Sequence, residues 1–152
     1  MSSKLPLSVL VVVHTEALDV LLLERAAHPG YWQSVTGSLE RRDEPFEAAA
    51  AREVREETGI DVARGRLERW NVVNTFEIYA HWRHRFAPGV THNTEHVFAL
   101  ALRERLPVRL APEEHTAHLW LPWREAATRC FSWSNRDAIL MLGERAAAGA
   151  KA

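Results

Sequence analysis

Two short aliphatic runs near the start of this 152-residue chain constrain its fold more than any other feature. Residues 7–14 read LSVLVVVH and residues 19–25 read DVLLLER, with only TEAL between them. Runs of this length that are apolar at consecutive positions are typical of strands buried on both faces. The short connection predicts that the two strands pair as a hairpin or nearly so. A sheet that begins in this way must be covered on both sides.

The pattern becomes helical over residues 45–58, where apolar side chains recur at a spacing of three and four residues. Pro45 suits the first helical position, and Gly59 stands where a C-cap glycine belongs. Further strands are predicted at residues 72–79, 81–86, 95–102 and 118–121, and a second helix at residues 135–147. This order of elements predicts an α/β sandwich with a mixed sheet.

Length and composition favour one domain over residues 1–152, with an Ala-rich end at 145–152 that we expect to fray. A net charge of −1 indicates neither a nucleic-acid nor a membrane partner. No run is long enough to span a bilayer, and the first residues, MSSKLP, do not resemble a signal peptide, so we expect a soluble, cytoplasmic protein. The single cysteine, Cys130, is expected to be a buried apolar side chain. The oligomeric state stays open.

An acidic cluster lies near the end of the first predicted helix. In REVREETG, Glu53, Glu56 and Glu57 stand at i, i+3 and i+4, so they share one face within about 6 Å of axial rise. Such like charges repel each other, and they lie at the negative end of the helix dipole. A cation such as Mg²⁺ would offset the repulsion, and it would still have room for water and substrate phosphates. The alternative is a solvated helix surface on which Arg52 and Arg55 pair with the glutamates.

The surrounding residues, 35–60, read VTGSLERRDEPFEAAAAREVREETGI and resemble the box of the Nudix hydrolase family. That box is a glycine, five residues, a glutamate, seven residues, and then Arg-Glu-aliphatic-any-Glu-Glu-any-Gly-aliphatic. The match holds at every specified position from Glu44 to Ile60, but six residues rather than five separate Gly37 from Glu44. The resemblance implies an α/β/α sandwich that hydrolyses nucleoside-diphosphate-linked substrates with Mg²⁺, or Mn²⁺, and more than one ion. The extra residue leaves the geometry of the loop open.

The resemblance also implies a role for each box residue. Glu53 and Glu57 become metal ligands, and Glu56 becomes a ligand or helps to orient water. Arg52 would hold these carboxylates through charge-assisted hydrogen bonds, and Glu44 would brace the loop. The general base is not fixed by the box.

Three further stretches resemble one bacterial branch of the family: WQSVTGSLE (residues 32–40), HWRHRFAPGVTHNTE (81–95) and SWSNRDAI (132–139). That branch removes pyrophosphate from 7,8-dihydroneopterin 3'-triphosphate in folate biosynthesis, and it also accepts nucleoside triphosphates such as dATP. By this likeness, Glu114 is a further metal ligand and the candidate general base, although a slip of one residue would select Glu113. The substrate contacts that it implies are Lys4, Arg25, Thr36, His81, Trp82, Arg83, His84 and Ser132. Trp32, Trp82 and Trp133 lie within the three stretches, where one of them could stack on a flat ring.

Other functions fit parts of the sequence less well. Residues 92–96, HNTEH, fit the H-x-x-E-H pattern of zinc peptidases, but that pattern requires a helix and these residues lead into a predicted strand. A non-catalytic relative that binds a nucleotide-like effector is disfavoured, because all three helix glutamates are present. Within catalysis, the alternative is a general or sanitising (deoxy)nucleoside triphosphatase that acts on dATP or 8-oxo-dGTP. Fold alone does not choose among substrates.

Overall fold

The computed structural model describes residues 3–151. Its elements, in chain order, are β1 (Leu7–Thr15), β2 (Asp19–Arg25), β3 (Trp32–Gln33), β4 (Val35–Ser38), α1 (Phe46–Thr58), β5 (Arg66–Glu77), β6 (His92–Leu102), β7 (His115–Pro122), α2 (Trp123–Arg129) and α3 (Trp133–Lys151), with short 3-10 helices at Val62–Arg64 and Ala80–Arg85.

The seven strands form one mixed sheet around β1. Strand β1 is parallel to β6 along its whole length and antiparallel to β2 and β4. Strand β7 pairs with β2, and β5 pairs with β6. The two aliphatic runs are therefore interior strands, as their composition predicted.

Alternate side chains of β1 enter two separate cores. Val9, Val11 and Val13 pack with the buried face of α1, whereas Leu10 and Val12 pack with α2 and α3 on the opposite face. Helices therefore cover both faces of the sheet, which confirms the predicted α/β/α sandwich. Among the described residues no helix is long and apolar enough to cross a membrane.

Several elements of the structure differ from those predicted from the sequence. Residues 81–86, predicted as a strand, form the 3-10 helix Ala80–Arg85, in which the amide of Trp82 donates to the carbonyl of Tyr79. Strand β5 starts at Arg66, six residues before the prediction, because charged side chains alternate along its exposed face and conceal its apolar positions. Helix α2 and strands β3 and β4 were not predicted. Helix α3 begins two residues earlier than predicted and is helical to Lys151, so fraying of residues 145–152 stays a prediction.

Residues 92–96 lie in strand β6, which begins three residues earlier than predicted, and not in a helix. The helical geometry that an H-x-x-E-H zinc site requires is therefore absent at these residues. Cys130 is half buried, and burial raises the pKa of its thiol to about 12.

Candidate active site

Helix α1 turns one face to the core and another to a cleft. Its N-cap is Pro45, in extended backbone, so the helix begins one residue later than predicted. Gly59 closes it in the left-handed conformation (φ 74°), as expected of a C-cap glycine. Glu53 and Glu57 are buried, at 9% and 2% exposure, whereas more than half of the Glu56 side-chain surface is exposed.

Arg52 ties the helix to the loop that precedes it. Its Nε and Nη2 each donate to the carboxylate of Glu44 at 3.1 Å, and Nη1 donates to Glu53 Oε1 at 2.7 Å. Nη2 also donates to the Ser38 carbonyl at 3.2 Å. The hydrogen bonds from Arg52 hold the pKa of Glu44 below its usual range even though burial opposes this. Burial alone would lower the pKa of Arg52, but the hydrogen bonds to these carboxylates raise it.

The extra residue between Gly37 and Glu44 is taken up in a turn. The Glu44 amide donates to the Arg41 carbonyl at 3.1 Å, and the Glu44 carboxylate accepts from the Glu40 amide at 2.8 Å. The carboxylate still reaches Arg52. The irregular spacing therefore lengthens the loop without moving the bracing glutamate.

Glu53 and Glu57 are a close pair of carboxylates that lack sufficient positive charge. Burial, followed by the neighbouring Glu53, raises the pKa of Glu57 well above its usual range, and burial also raises the pKa of Glu53. Oε1 of Glu57 is buried without a hydrogen-bond partner. His115 Nε2 lies 3.8 Å from that oxygen, but burial lowers the pKa of His115 to about 4, so the imidazole is neutral.

A divalent cation fits this pair. Among residues 3–151 no three carboxylate, histidine or cysteine side chains converge as a complete metal site. Mg²⁺ does not need one, since it keeps several waters and binds through one or two carboxylates plus substrate phosphates. Glu113 and Glu114 both line the cleft, and Glu114 is among the charges that raise the pKa of Glu57. The charge of Glu114 therefore acts on Glu57, which favours Glu114 as the third carboxylate.

Gly37 explains how Glu53 comes so close to strand β4. A Cβ at Gly37 would lie 2.0 Å from Cδ of Glu53 and within 2.4 Å of both its carboxylate oxygens. The space that any other side chain would fill is occupied by the Glu53 carboxylate. The box glycine therefore serves a close approach, not a turn.

Three cationic side chains, Lys4, Arg25 and Arg85, line the same cleft as the acidic pair. Burial, then Arg85 and Arg25, lower the pKa of Lys4 to about 8, while Glu53 and Glu114 oppose this. Burial and Arg85 likewise lower the pKa of Arg25. Cations that are crowded and partly desolvated favour the arrival of an anion. This part of the cleft is suited to phosphate groups.

Aromatic rings form a further wall of the cleft. Trp82 contacts the rings of His28, Tyr79 and Phe131, with centroids 5.3–6.0 Å apart. The Arg25 guanidinium lies over the Trp82 ring at 4.6 Å. The whole cleft has a volume of about 1190 Å³, enough for a nucleotide-sized ligand.

The structure brings most of the predicted site residues into this one cleft. Those that line it are Lys4, Arg25, Thr36, Gly37, Arg52, Glu53, Glu57, His81, Trp82, His84, Glu114 and Ser132. Three do not: Glu44 lies behind Arg52, Glu56 points to solvent, and Arg83 pairs with Glu77 and the Ile78 carbonyl. Arg83 therefore braces the 3-10 helix that presents Trp82, and its contact with substrate stays a prediction.

Sequence reasoning missed other residues that line the cleft: Gln33, Arg85, Asn93, Glu95, His115 and Asn135. All but His115 lie inside the three stretches that carried the closer resemblance. Gln33 links Arg25 at 3.1 Å to Thr36 at 3.2 Å, and the side chain of Asn135 accepts from the Ser34 amide at 2.8 Å. Their local sequence does not distinguish them from polar residues on a solvent-exposed face.

Residues 4–142 match the model of the NUDIX domain. The chain belongs to the Nudix family. An Escherichia coli (strain K12) protein named dihydroneopterin triphosphate diphosphatase is 47% identical over 139 residues, which is 90% of this chain and 91% of that one. A protein of the same name from Haemophilus influenzae is 36% identical, over 87% of this chain and 84% of that one.

A solved structure agrees with these relatives. The E. coli dihydroneopterin triphosphate pyrophosphohydrolase superposes with a TM-score of 0.85 at 44% identity, over 91% of this chain and 95% of that one. The Nudix resemblance found in the box is thereby confirmed, together with the closer likeness outside it.

Proposed function

We propose that this Nudix protein hydrolyses 7,8-dihydroneopterin 3'-triphosphate to the monophosphate and pyrophosphate, in folate biosynthesis. The observation that carries the proposal is the 47% identity to a dihydroneopterin triphosphate diphosphatase over 90% of the chain. So large a share of the chain takes in the acidic pair, the cations and the aromatic wall together. The substrate is a small molecule, and the reaction belongs in the cytoplasm.

The cleft supplies a group for each part of this reaction. Mg²⁺, or Mn²⁺, bound by Glu53, Glu57 and Glu114, with Glu56 as an outer aid to water, would activate water and neutralise phosphate charge. More than one ion is expected. Arg52 would act as a positioning residue, because it holds Glu53 at 2.7 Å and Glu44 in the same fork.

The remaining side chains bind and orient the triphosphate. Lys4 and Arg25 would hold phosphates, while Thr36 and Ser132 offer hydroxyls inside the cleft. Water adds to one phosphorus of the α–β anhydride, the bridging oxygen leaves with its electron pair on the other phosphorus, and the proton from water passes to a base. Glu114, exposed at the rim and carrying a carboxylate, is our candidate for that base.

A competition assay tests the substrate. With dihydroneopterin triphosphate, dATP and 8-oxo-dGTP present at equal concentration, we expect the pterin to be consumed first and pyrophosphate, not orthophosphate, to appear. Product separation by ion exchange would measure both. If the pterin were the slowest of the three, the substrate would be wrong and a general nucleoside triphosphate pyrophosphohydrolase would take its place.

Mg²⁺ should also stabilise the fold, since it binds the folded carboxylate pair. At about 100 times its Kd it should add roughly 2.7 kcal/mol, which is about 5–10 °C in Tm for a domain of this size. The rise should be larger at about pH 8 than at about pH 5.5, because protons compete for carboxylates whose pKa is raised. Differential scanning fluorimetry against an EDTA-treated sample would measure it. An unchanged Tm at both pH values would argue against the metal site.

A further inference from the structure

The far end of the cleft holds two buried oxygens that no donor satisfies. Glu95 is 4% exposed and Asn93 is 7% exposed, yet Glu95 Oε1 and Asn93 Oδ1 have no hydrogen-bond partner among the described residues. Both residues line the cleft. They stand two apart in β6, so their side chains share one face of the sheet. Buried acceptors without donors cost free energy, and a ligand that brings N–H groups would remove that cost.

Neighbouring side chains orient both acceptors. Asn93 Nδ2 donates to Ser8 Oγ at 2.7 Å, so its amide nitrogen is engaged and Oδ1 is left for another partner. Burial raises the pKa of Glu95 to about 7, although the Ser134 hydroxyl opposes this. N–H donors would favour the ionised form, which accepts hydrogen bonds at both oxygens.

Two aromatic rings flank this position. Phe76 is the cross-strand partner of Asn93, so the two side chains stand side by side on one face. Trp133 meets Phe76 edge to face, with centroids 6.3 Å apart, and it is 43% exposed although it is large and apolar. Rings beside buried acceptors suit a flat, polar heterocycle.

The spacing from the acidic pair fits a single ligand. Ser8 pairs with Glu95 on one side and with Ser38 on the other, and Ser38 follows Gly37, which touches Glu53. Two strand spacings, about 10 Å, therefore separate Glu95 from the box strand. A triphosphate at one end and a ring at the other need only a short linker between them.

We propose that Glu95, with Asn93 beside it, determines specificity for the ring of the substrate by accepting hydrogen bonds from two adjacent N–H donors. A pterin presents such a pair on its 2-amino-4-oxopyrimidine edge, and guanine presents the same pair. Adenine presents an acceptor beside a donor, so a carboxylate would accept only one hydrogen bond from it and would bind it less well than guanine. The pterin part of this inference rests on the proposed function, whereas the recognition of two adjacent N–H donors by Glu95 and Asn93 does not.

The variant Glu95→Gln tests the inference, because glutamine offers one acceptor and one donor and so matches adenine instead. We expect kcat/KM for dihydroneopterin triphosphate and dGTP to fall by about 10- to 100-fold, while that for dATP is kept or rises. The dGTP-to-dATP ratio should therefore drop at least about tenfold. Tm should not fall, since the change removes a buried charge.

Glu144→Gln is the matched control, since it makes the same change at an exposed position of α3 outside the cleft. It should leave all three constants at the wild-type values. A dGTP-to-dATP ratio in Glu95→Gln within about twofold of wild type, or an equal fall for all three substrates, would overturn the inference. If wild-type protein did not turn over the pterin, the proposed function would fail, and the dGTP-to-dATP ratio would still decide the role of Glu95.

Discussion

Replacing Glu57 by glutamine is expected to lower kcat for Mg²⁺-dependent pyrophosphate release by roughly 10²–10³-fold or more, as does the loss of one preorganised charge in other active sites. Glu57 is 2% exposed, one of its oxygens has no partner, and it stands beside Glu53. Glutamine keeps the size of the side chain but not the charge that would hold a cation. Steady-state kinetics with a pyrophosphate-coupled assay would measure the loss.

The same variant should be at least as stable as the wild type. Since the pKa of Glu57 is raised in the folded state, the folded protein binds this proton more tightly than the unfolded chain does. The free energy of unfolding therefore falls as pH rises from the ordinary glutamic acid pKa, about 4.3, toward the raised one. Glutamine does not titrate, so the variant lacks this fall in the free energy of unfolding. In EDTA at about pH 8, Glu57→Gln should unfold at the same temperature as the wild type or higher.

Glu125→Gln is the control for this pair of measurements, because Glu125 is exposed on α2 and lies outside the cleft. It should change neither kcat nor Tm. Near-wild-type turnover in Glu57→Gln would contradict the assignment of the acidic helix as the metal site. A large fall in Tm would instead give the carboxylate a structural role.

The aliphatic strands and the acidic helix were predictable because their signals are local. Consecutive apolar residues mark an interior strand, and apolar spacing of three and four residues with Gly59 marks a helix and its end. The 3-10 helix at Ala80–Arg85 gave no such signal. Its sequence, AHWRHR, resembles part of a strand in which apolar and polar residues alternate. Its conformation is decided instead by the packing of Trp82 against rings from segments distant in the sequence. Tertiary contacts of this kind override local preference.

The candidate site divides in the same way. The box residues share one helix and one loop, so their spacing in the sequence predicts their proximity in space. Glu95 and Asn93 carry no such mark, since a polar residue in a strand is equally consistent with the solvent face. Only the sheet register, which sets Glu95 beside Ser8 and Asn93 beside Phe76, reveals that they face the cleft.

Gly37→Ala is expected to lower kcat/KM by about 10²-fold or more while changing the free energy of unfolding by only about 1 kcal/mol. The added methyl would overlap the carboxylate of Glu53, the far end of a side chain that can rotate away. The fold can therefore adapt, but only by moving Glu53 out of the position that Arg52 gives it. Kinetics together with urea unfolding would separate the two effects. Gly149→Ala is the control, since nothing lies within 4 Å of a Cβ at that helical position.

A double-mutant cycle identifies Glu53 as the cause. If Gly37→Ala acts only by displacing that carboxylate, then it should cost nothing further in a chain that already carries Glu53→Ala, where no carboxylate is left to displace. The double variant should match Glu53→Ala within about twofold in kcat/KM. Additive losses would mean that the glycine serves the site in another way, such as a direct approach of substrate to the backbone of β4. The non-additive result would make the close contact between Gly37 and Glu53 the physical reason for glycine at this position of the box.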